Sequence, residues 1–289
     1  MNTTTESKEL SPSSSFVKKN SLVTFFVLSY FIMIISVLII YFGANSSVEI
    51  LFFYISISSP TISAIVLAGI IGGWPEIKHL LSGFLKWNVR GFWYFAGFFL
   101  MIGPIVFTLF YTILGGEAPG NPGLTVGLIF ITLINTLING PLSEEAGWRG
   151  FALPRLESKF GSLTSSVILG IIWACWHIPL YFIEQRMPFY IFIILVLVIT
   201  ILMTWGYNNT NGSLIITVIF HFSFNFNGAF LTGILGLLPM MTFYMAGSVM
   251  IGIYVIVVIL YAGRSKLSRK PNSEMPFNIE ERIPLKFSS

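Results

Sequence analysis

Residues 187–205 read MPFYIFIILVLVITILMTW, a run without one charged side chain. Crossing the hydrocarbon core of a bilayer as a helix takes about 20 apolar residues, and this run has that length. It also lacks the polar face that a helix on the surface of a soluble domain turns to water. Runs of the same kind recur at 21–43, 49–73, 91–114, 123–145, 163–183, 213–234 and 238–262. Lipid offers no partner to backbone amides, so such runs must be helices or the strands of a closed barrel. They are too long and too continuously apolar for the ten-residue alternation of barrel strands. The fold class expected is all-α, a polytopic membrane bundle of about eight transmembrane helices.

Composition agrees. Hydrophobic residues make up 55% of the chain and charged residues only 10%, against roughly 45–50% and about 25% in soluble domains. The net charge of +4 comes from cations that flank the apolar runs without forming a stripe interleaved with aromatics, which argues against nucleic acid as a partner. Cytoplasmic loops of membrane proteins keep an excess of Lys and Arg. With both termini inside, all of the 16 cations except Arg186 fall on the cytoplasmic side, while the outer loops hold Glu49, Glu117 and Glu184. The expected division is a polar cytoplasmic tail at 1–20, a membrane domain at 21–262 and a cytoplasmic, solvated tail at 263–289. The chain is thus expected in a membrane, the cell membrane, with the lipid bilayer as its first partner. The single cysteine, Cys175, lies in an apolar run and supplies neither a disulfide framework nor a thiolate metal cluster.

Ionisable groups at membrane depth are costly and are usually paired or functional, and here they converge on three short stretches. In Glu144-Glu145-Ala146-Gly147-Trp148-Arg149 the four-residue spacing puts Glu145 and Arg149 on one helix face, where they can pair, and leaves Glu144 turned away. A free, partly desolvated carboxylate beside a paired one is suited to take a proton from water. The bland alternative is a charged helix end. In Trp173-Ala174-Cys175-Trp176-His177-Ile178-Pro179 the tryptophan and His177 share a face, and Pro179 kinks the helix; a packed aromatic cluster would look the same. In His221-Phe222-Ser223-Phe224-Asn225 the His and the amide sit one turn apart, as they also would in plain interhelical hydrogen bonding. Asn135 and Asn139 extend the polar face upstream of the acids, with Pro141 breaking the helix before Glu144. The remaining histidine, His79, falls with Glu76 and Lys78 in a cytoplasmic loop.

Taken together, and in this order, the three stretches resemble the signature of the CAAX prenyl protease and bacteriocin-processing (CPBP, or Abi) family, to which the type II CAAX prenyl endopeptidases belong: Glu-Glu-x-x-x-Arg, aromatic-x-x-x-His and His-x-x-x-Asn. The resemblance covers about 123–230 and departs from the commoner Phe by having Trp173. It implies an intramembrane endopeptidase acting on a peptide or protein substrate near the cytoplasmic face. Glu144 and His177 would activate water, His221 and Asn225 would stabilise the oxyanion, and Glu145 and Arg149 would hold the site together. The family is described both as glutamate-dependent and as a metalloprotease, so a divalent metal such as zinc on His177, His221 and Glu144 stays open, although no His-Glu-x-x-His helix is present. The chain has no Asp, which excludes an aspartyl dyad, and no Gly-x-Ser-x-Gly elbow. A bacteriocin-immunity role and a proton-coupled transporter are the alternatives.

Overall fold

A computed structural model describes residues 12–43, 45–113, 125–183, 188–229 and 241–277. Glu117, Glu184 and Arg186, and the outer ends of several expected spans, lie outside the described residues. The helices are α1 (Pro12–Lys19), α2 (Ser21–Tyr41), α3 (Ser46–Ile57), α4 (Ser59–Ser82), α5 (Gly91–Ile113), α6 (Val126–Leu137), α7 (Ser143–Glu145), α8 (Leu153–Glu157), α9 (Ser162–Trp176), α10 (Ile178–Tyr181), α11 (Phe189–Asn209), α12 (Leu214–Ala229) and α13 (Met241–Ala262). No strand occurs among the described residues. Among the described residues five helical stretches are long and apolar enough to cross a membrane: 21–41, 59–85, 126–157, 162–181 and 189–209. Four shorter apolar helices accompany them. The protein is an all-α integral membrane protein.

The run expected at 49–73 is differently divided. It is cut at Ser58 into α3 and the start of α4, because Pro60 has no N–H to continue α3 and is instead accommodated in the first turn of α4. At the other end Gly73 leaves the helical region (φ 66°), a conformation glycine adopts without steric cost. The helix then resumes through Pro75, so Glu76, Lys78 and His79 are helical and not part of a loop.

The longest departure from regular helix decides the site. After α6, capped by the Thr125 hydroxyl on the Leu128 amide (3.1 Å), the chain breaks at Asn139 (ψ 79°) and Gly140 (φ 122°). Ser143 Oγ repairs the break by donating to the Ile138 carbonyl (2.9 Å) and accepting from the Gly140 amide (3.1 Å). Two wide π-type turns, Ile138–Leu142 and Ala146–Ala152, flank the short α7. The second is pressed against α4: a Cβ on Gly147 would lie 2.4 Å from the Pro60 carbonyl carbon, so a side chain there would force the two backbones apart.

Around this segment α11 packs on α9 and α12, α12 on α5, and α2 on α3 and α4. Trp148 is fully buried between Phe25 (ring centroids 5.5 Å apart) and Trp176 (5.7 Å).

The stretch after α13, expected to be solvated, is docked as far as it is described: Leu267 and Met275 are buried. Asn208 of α11 is its anchor. Its Nδ2 lies 2.7 Å from Glu157 Oε1, 3.1 Å from Ser162 Oγ and 2.8 Å from the Lys266 carbonyl oxygen. Lys270 bonds Asn211 Oδ1 (2.7 Å), and burial lowers its pKa against the opposing pull of Glu274. Asn208→Ala should strip the buried Glu157 carboxylate of one of its donors and cost about 1–3 kcal/mol, seen as a lower melting temperature in detergent and faster proteolysis of the 263–277 segment; an unchanged melting curve would refute the anchor.

Candidate active site

Glu144 and Glu145 are 3% and 0% exposed, so neither is an ordinary helix end at a wet surface. Buried charges persist only when paired or hydrogen-bonded, and each acid has its own partners. Glu145 Oε1 accepts from Arg149 Nη1 (2.9 Å), the four-residue pairing that the spacing implies, and also from His221 Nδ1 (2.8 Å). Arg149 is itself fully buried, with its guanidinium carbon 4.2 Å from the centre of the Trp173 ring and Nη2 3.5 Å from Thr200 Oγ1.

Glu144 is not the unpartnered acid that the spacing implies. Its Oε2 accepts from two indoles, Trp148 Nε1 (3.1 Å) and Trp173 Nε1 (2.6 Å). Trp148 stands four residues after Glu144, the same spacing that pairs Glu145 with Arg149, so this partner was readable from the sequence. At Trp173 the ring N–H is the feature that a Phe would lack.

With Oε2 held, the other oxygen of Glu144 faces a small space over Gly140. A Cβ placed on Gly140 would lie 3.1 Å from Asn225 Nδ2, 3.2 Å from Glu144 Oε1 and 3.3 Å from His221 Nε2. Three polar atoms therefore surround one point that the missing side chain keeps open. Because a carboxylate oxygen only accepts, His221 Nδ1 carries the proton toward Glu145, and Nε2 is the nitrogen presented to that point. The ring stands edge-on to Trp173, with centroids 5.0 Å apart.

His177 is held differently. Its backbone N–H turns to the Ala174 carbonyl (3.1 Å), and the Trp173 carbonyl takes the imidazole Nδ1 instead (2.8 Å). That fixes the proton on Nδ1 and leaves Nε2 as the available nitrogen. The ring is enclosed by Trp176 (4.7 Å) and Phe192 (5.0 Å). Among the described residues no hydrogen bond joins His177 to Glu144; both meet Trp173. Nor do any three His, Cys, Asp or Glu side chains among those residues converge to hold a metal ion, so His177, His221 and Glu144 do not form a built three-ligand site.

Residues 125–227, which contain every one of these groups, match the family model described as type II CAAX prenyl endopeptidase Rce1-like. This motif-bearing segment is similar to the Rce1-like family. The chain is also 33% identical over 70 residues to "CAAX prenyl protease 2" of Methanococcus maripaludis, a stretch that is 24% of this chain and 26% of that protein. The aligned part thus spans about a quarter of the relative's length. The matched segment brings Glu144, His221 and Asn225 together at Gly140 and ties Glu145 to both Arg149 and His221.

Removing one member of a buried ion pair typically costs about 3–5 kcal/mol. Glu145→Ala should lose that much and also free His221 to turn, so it should lower both the melting temperature and activity. A Glu145→Ala, Arg149→Ala double variant should recover part of the melting temperature without the activity. Recovery of both would show that Glu145 does not orient His221.

Proposed function

We propose that the chain is an intramembrane endopeptidase that hydrolyses peptide bonds near the cytoplasmic membrane face, with both termini on that side. The observation that carries this reading is the convergence of Glu144 Oε1, His221 Nε2 and Asn225 Nδ2 over Gly140. A proton-coupled transporter would string its titratable groups along a path, whereas these meet at one point. The similarity to the CAAX prenyl protease of Methanococcus maripaludis adds support for proteolysis through the segment the two share.

In the proposed reaction a water sits over Gly140 and hydrogen-bonds to Glu144 Oε1. The carboxylate takes its proton as the water oxygen attacks the peptide carbonyl carbon, and the carbonyl π pair moves onto oxygen. Asn225 Nδ2 donates to that oxyanion. So does His221, which in this role carries protons on both nitrogens, one directed to Glu145 and the other to the oxyanion. The proton held by Glu144 then passes to the leaving amine as the C–N bond breaks, restoring the carboxylate. His177 Nε2 accepts from the water on its second side and keeps it oriented. The indoles of Trp148 and Trp173 hold Glu144 Oε2 and so aim Oε1. Each of these groups acts where water is scarce, which strengthens its hydrogen bonds to developing charge.

Glu144→Gln should reduce turnover by roughly 10²–10⁴-fold, the usual contribution of a general base. The amide oxygen can still accept from both indoles, so the melting temperature should stay near that of the unsubstituted protein. Trp173→Phe should lower turnover by about tenfold, the loss of one hydrogen bond to a charged group. The measurement is mass-spectrometric mapping of cleavage products in membranes carrying each variant. Near-normal turnover of a mapped substrate by Glu144→Gln would remove the water-activation role.

A further inference from the structure

A second cleft lies away from the proposed site. It is bounded by α4 and the 3₁₀ turn Gly83–Leu85, by α8, by the end of α11 and the start of α12, and by Pro276 of the docked segment. None of Glu144, His177, His221 or Asn225 lines it. The sequence places this end of the bundle on the cytoplasmic side, where the cations collect.

Its polar lining comes from separate elements: Glu76 and His79 from α4, Lys86 just after the 3₁₀ turn, Arg155 from α8 and Tyr207 from α11. Arg155 is the most rigidly presented. Its guanidinium lies 3.6 Å from the centre of the Phe151 ring and Nη1 donates to the Phe151 carbonyl (2.8 Å). Nη2, however, is 3.9 Å from Glu76 Oε1, close enough for attraction but beyond hydrogen-bonding distance. The planar fork is thus held in place with Nη2 turned toward Glu76. Lys86 is anchored by Nζ donating to the Asn211 carbonyl (2.8 Å). Among the lining residues Lys86 and Arg155 are cations against the one carboxylate of Glu76, and the guanidinium fork matches the oxygens of a phosphate.

The setting specifies what the phosphate belongs to. Leu80 and Leu214 supply apolar wall, and beside Lys86 the chain exposes Leu85 (76%) and Trp87 (72%). Exposed Trp at this level is the aromatic belt of the membrane–water boundary. Basic pockets between transmembrane helices on the cytoplasmic side recognise lipid head groups. We propose that this cleft binds the phosphodiester head group of an anionic phospholipid, with Arg155 and Lys86 on the phosphate and the acyl body running out past Leu85 and Trp87. One monoanionic phosphodiester neutralises the net charge of the cleft. This site is separate from the peptidase reading and does not depend on it.

The test uses the full chain in neutral detergent, titrated with phosphatidylglycerol, phosphatidylcholine or inorganic phosphate. Thermal melting and native mass spectrometry are the readouts. Phosphatidylglycerol should raise the melting temperature and remain bound in the gas phase, phosphatidylcholine should do neither, and Arg155→Gln or Lys86→Gln should each weaken retention by about tenfold. If Arg155→Gln does not accumulate, Lys86→Gln carries the comparison, since a glutamine there can still donate to the Asn211 carbonyl. Equal retention by the variants, or equal stabilisation by phosphatidylcholine, overturns the site. Stabilisation by inorganic phosphate that matches phosphatidylglycerol overturns the lipid as its occupant.

Discussion

The carboxylate of Glu145 is the constraint on which the rest of this structure depends. It is fully buried and shared between Arg149 and His221, and an isolated charge at that depth would be too costly to keep. Satisfying it fixes three things at once. The pairing with Arg149 winds the 143–149 segment so that both residues share a face, and the guanidinium then comes to rest over the Trp173 ring. Trp173 in turn reaches Glu144 and stands against His221. The bond to His221 draws α12 against the broken segment and sets which imidazole nitrogen faces Gly140.

Irregular backbone inside a membrane is tolerated only where protein or a water-filled space surrounds it, and the break at Asn139–Gly140 meets that condition. Ser143 supplies the main-chain bonds that a regular helix would have made, and Gly140 adopts a backbone conformation that a residue with a Cβ would resist. The same glycine leaves open the point at which Glu144, His221 and Asn225 meet. π-Type turns are uncommon and tend to occur at functional sites; the two here lie immediately on either side of the acid pair.

What the sequence disclosed and what it hid follow one division. Local spacing was readable: the pairing of Glu145 with Arg149 four residues on, the Trp and His on one face of α9, the break announced by Pro141. Partners distant along the chain were not, and the bond between Glu145 and His221 spans 76 residues. The division of the second run at Ser58 was signalled by Pro60, but a hydropathy window averages over one proline. The docking of 263–277 was hidden because Leu267 stands singly among charged and polar neighbours, and its burial depends on carbonyls captured by Asn208 and Asn209, 58 residues upstream.

The distorted segment also links the two sites without merging them. Glu144 and Glu145 point toward α9 and α12, whereas Gly150, Phe151 and Arg155, farther along the same segment, line the cleft beside α4. A regular helix advances about 100° per residue, from its 3.6 residues per turn, and wider turns rotate each residue by less. The turns at 146–152 therefore change which face the later residues present, and they do so just where Gly147 meets Pro60 without a side chain between them. A residue with a Cβ at 147 would move this segment off α4 and disturb both ends of it: the carboxylates that need Trp148, Trp173 and His221, and the guanidinium that rests on Phe151. The close backbone contact at Gly147 is thus the mechanical counterpart of the Glu145 charge pair, one holding the segment from outside and the other from within.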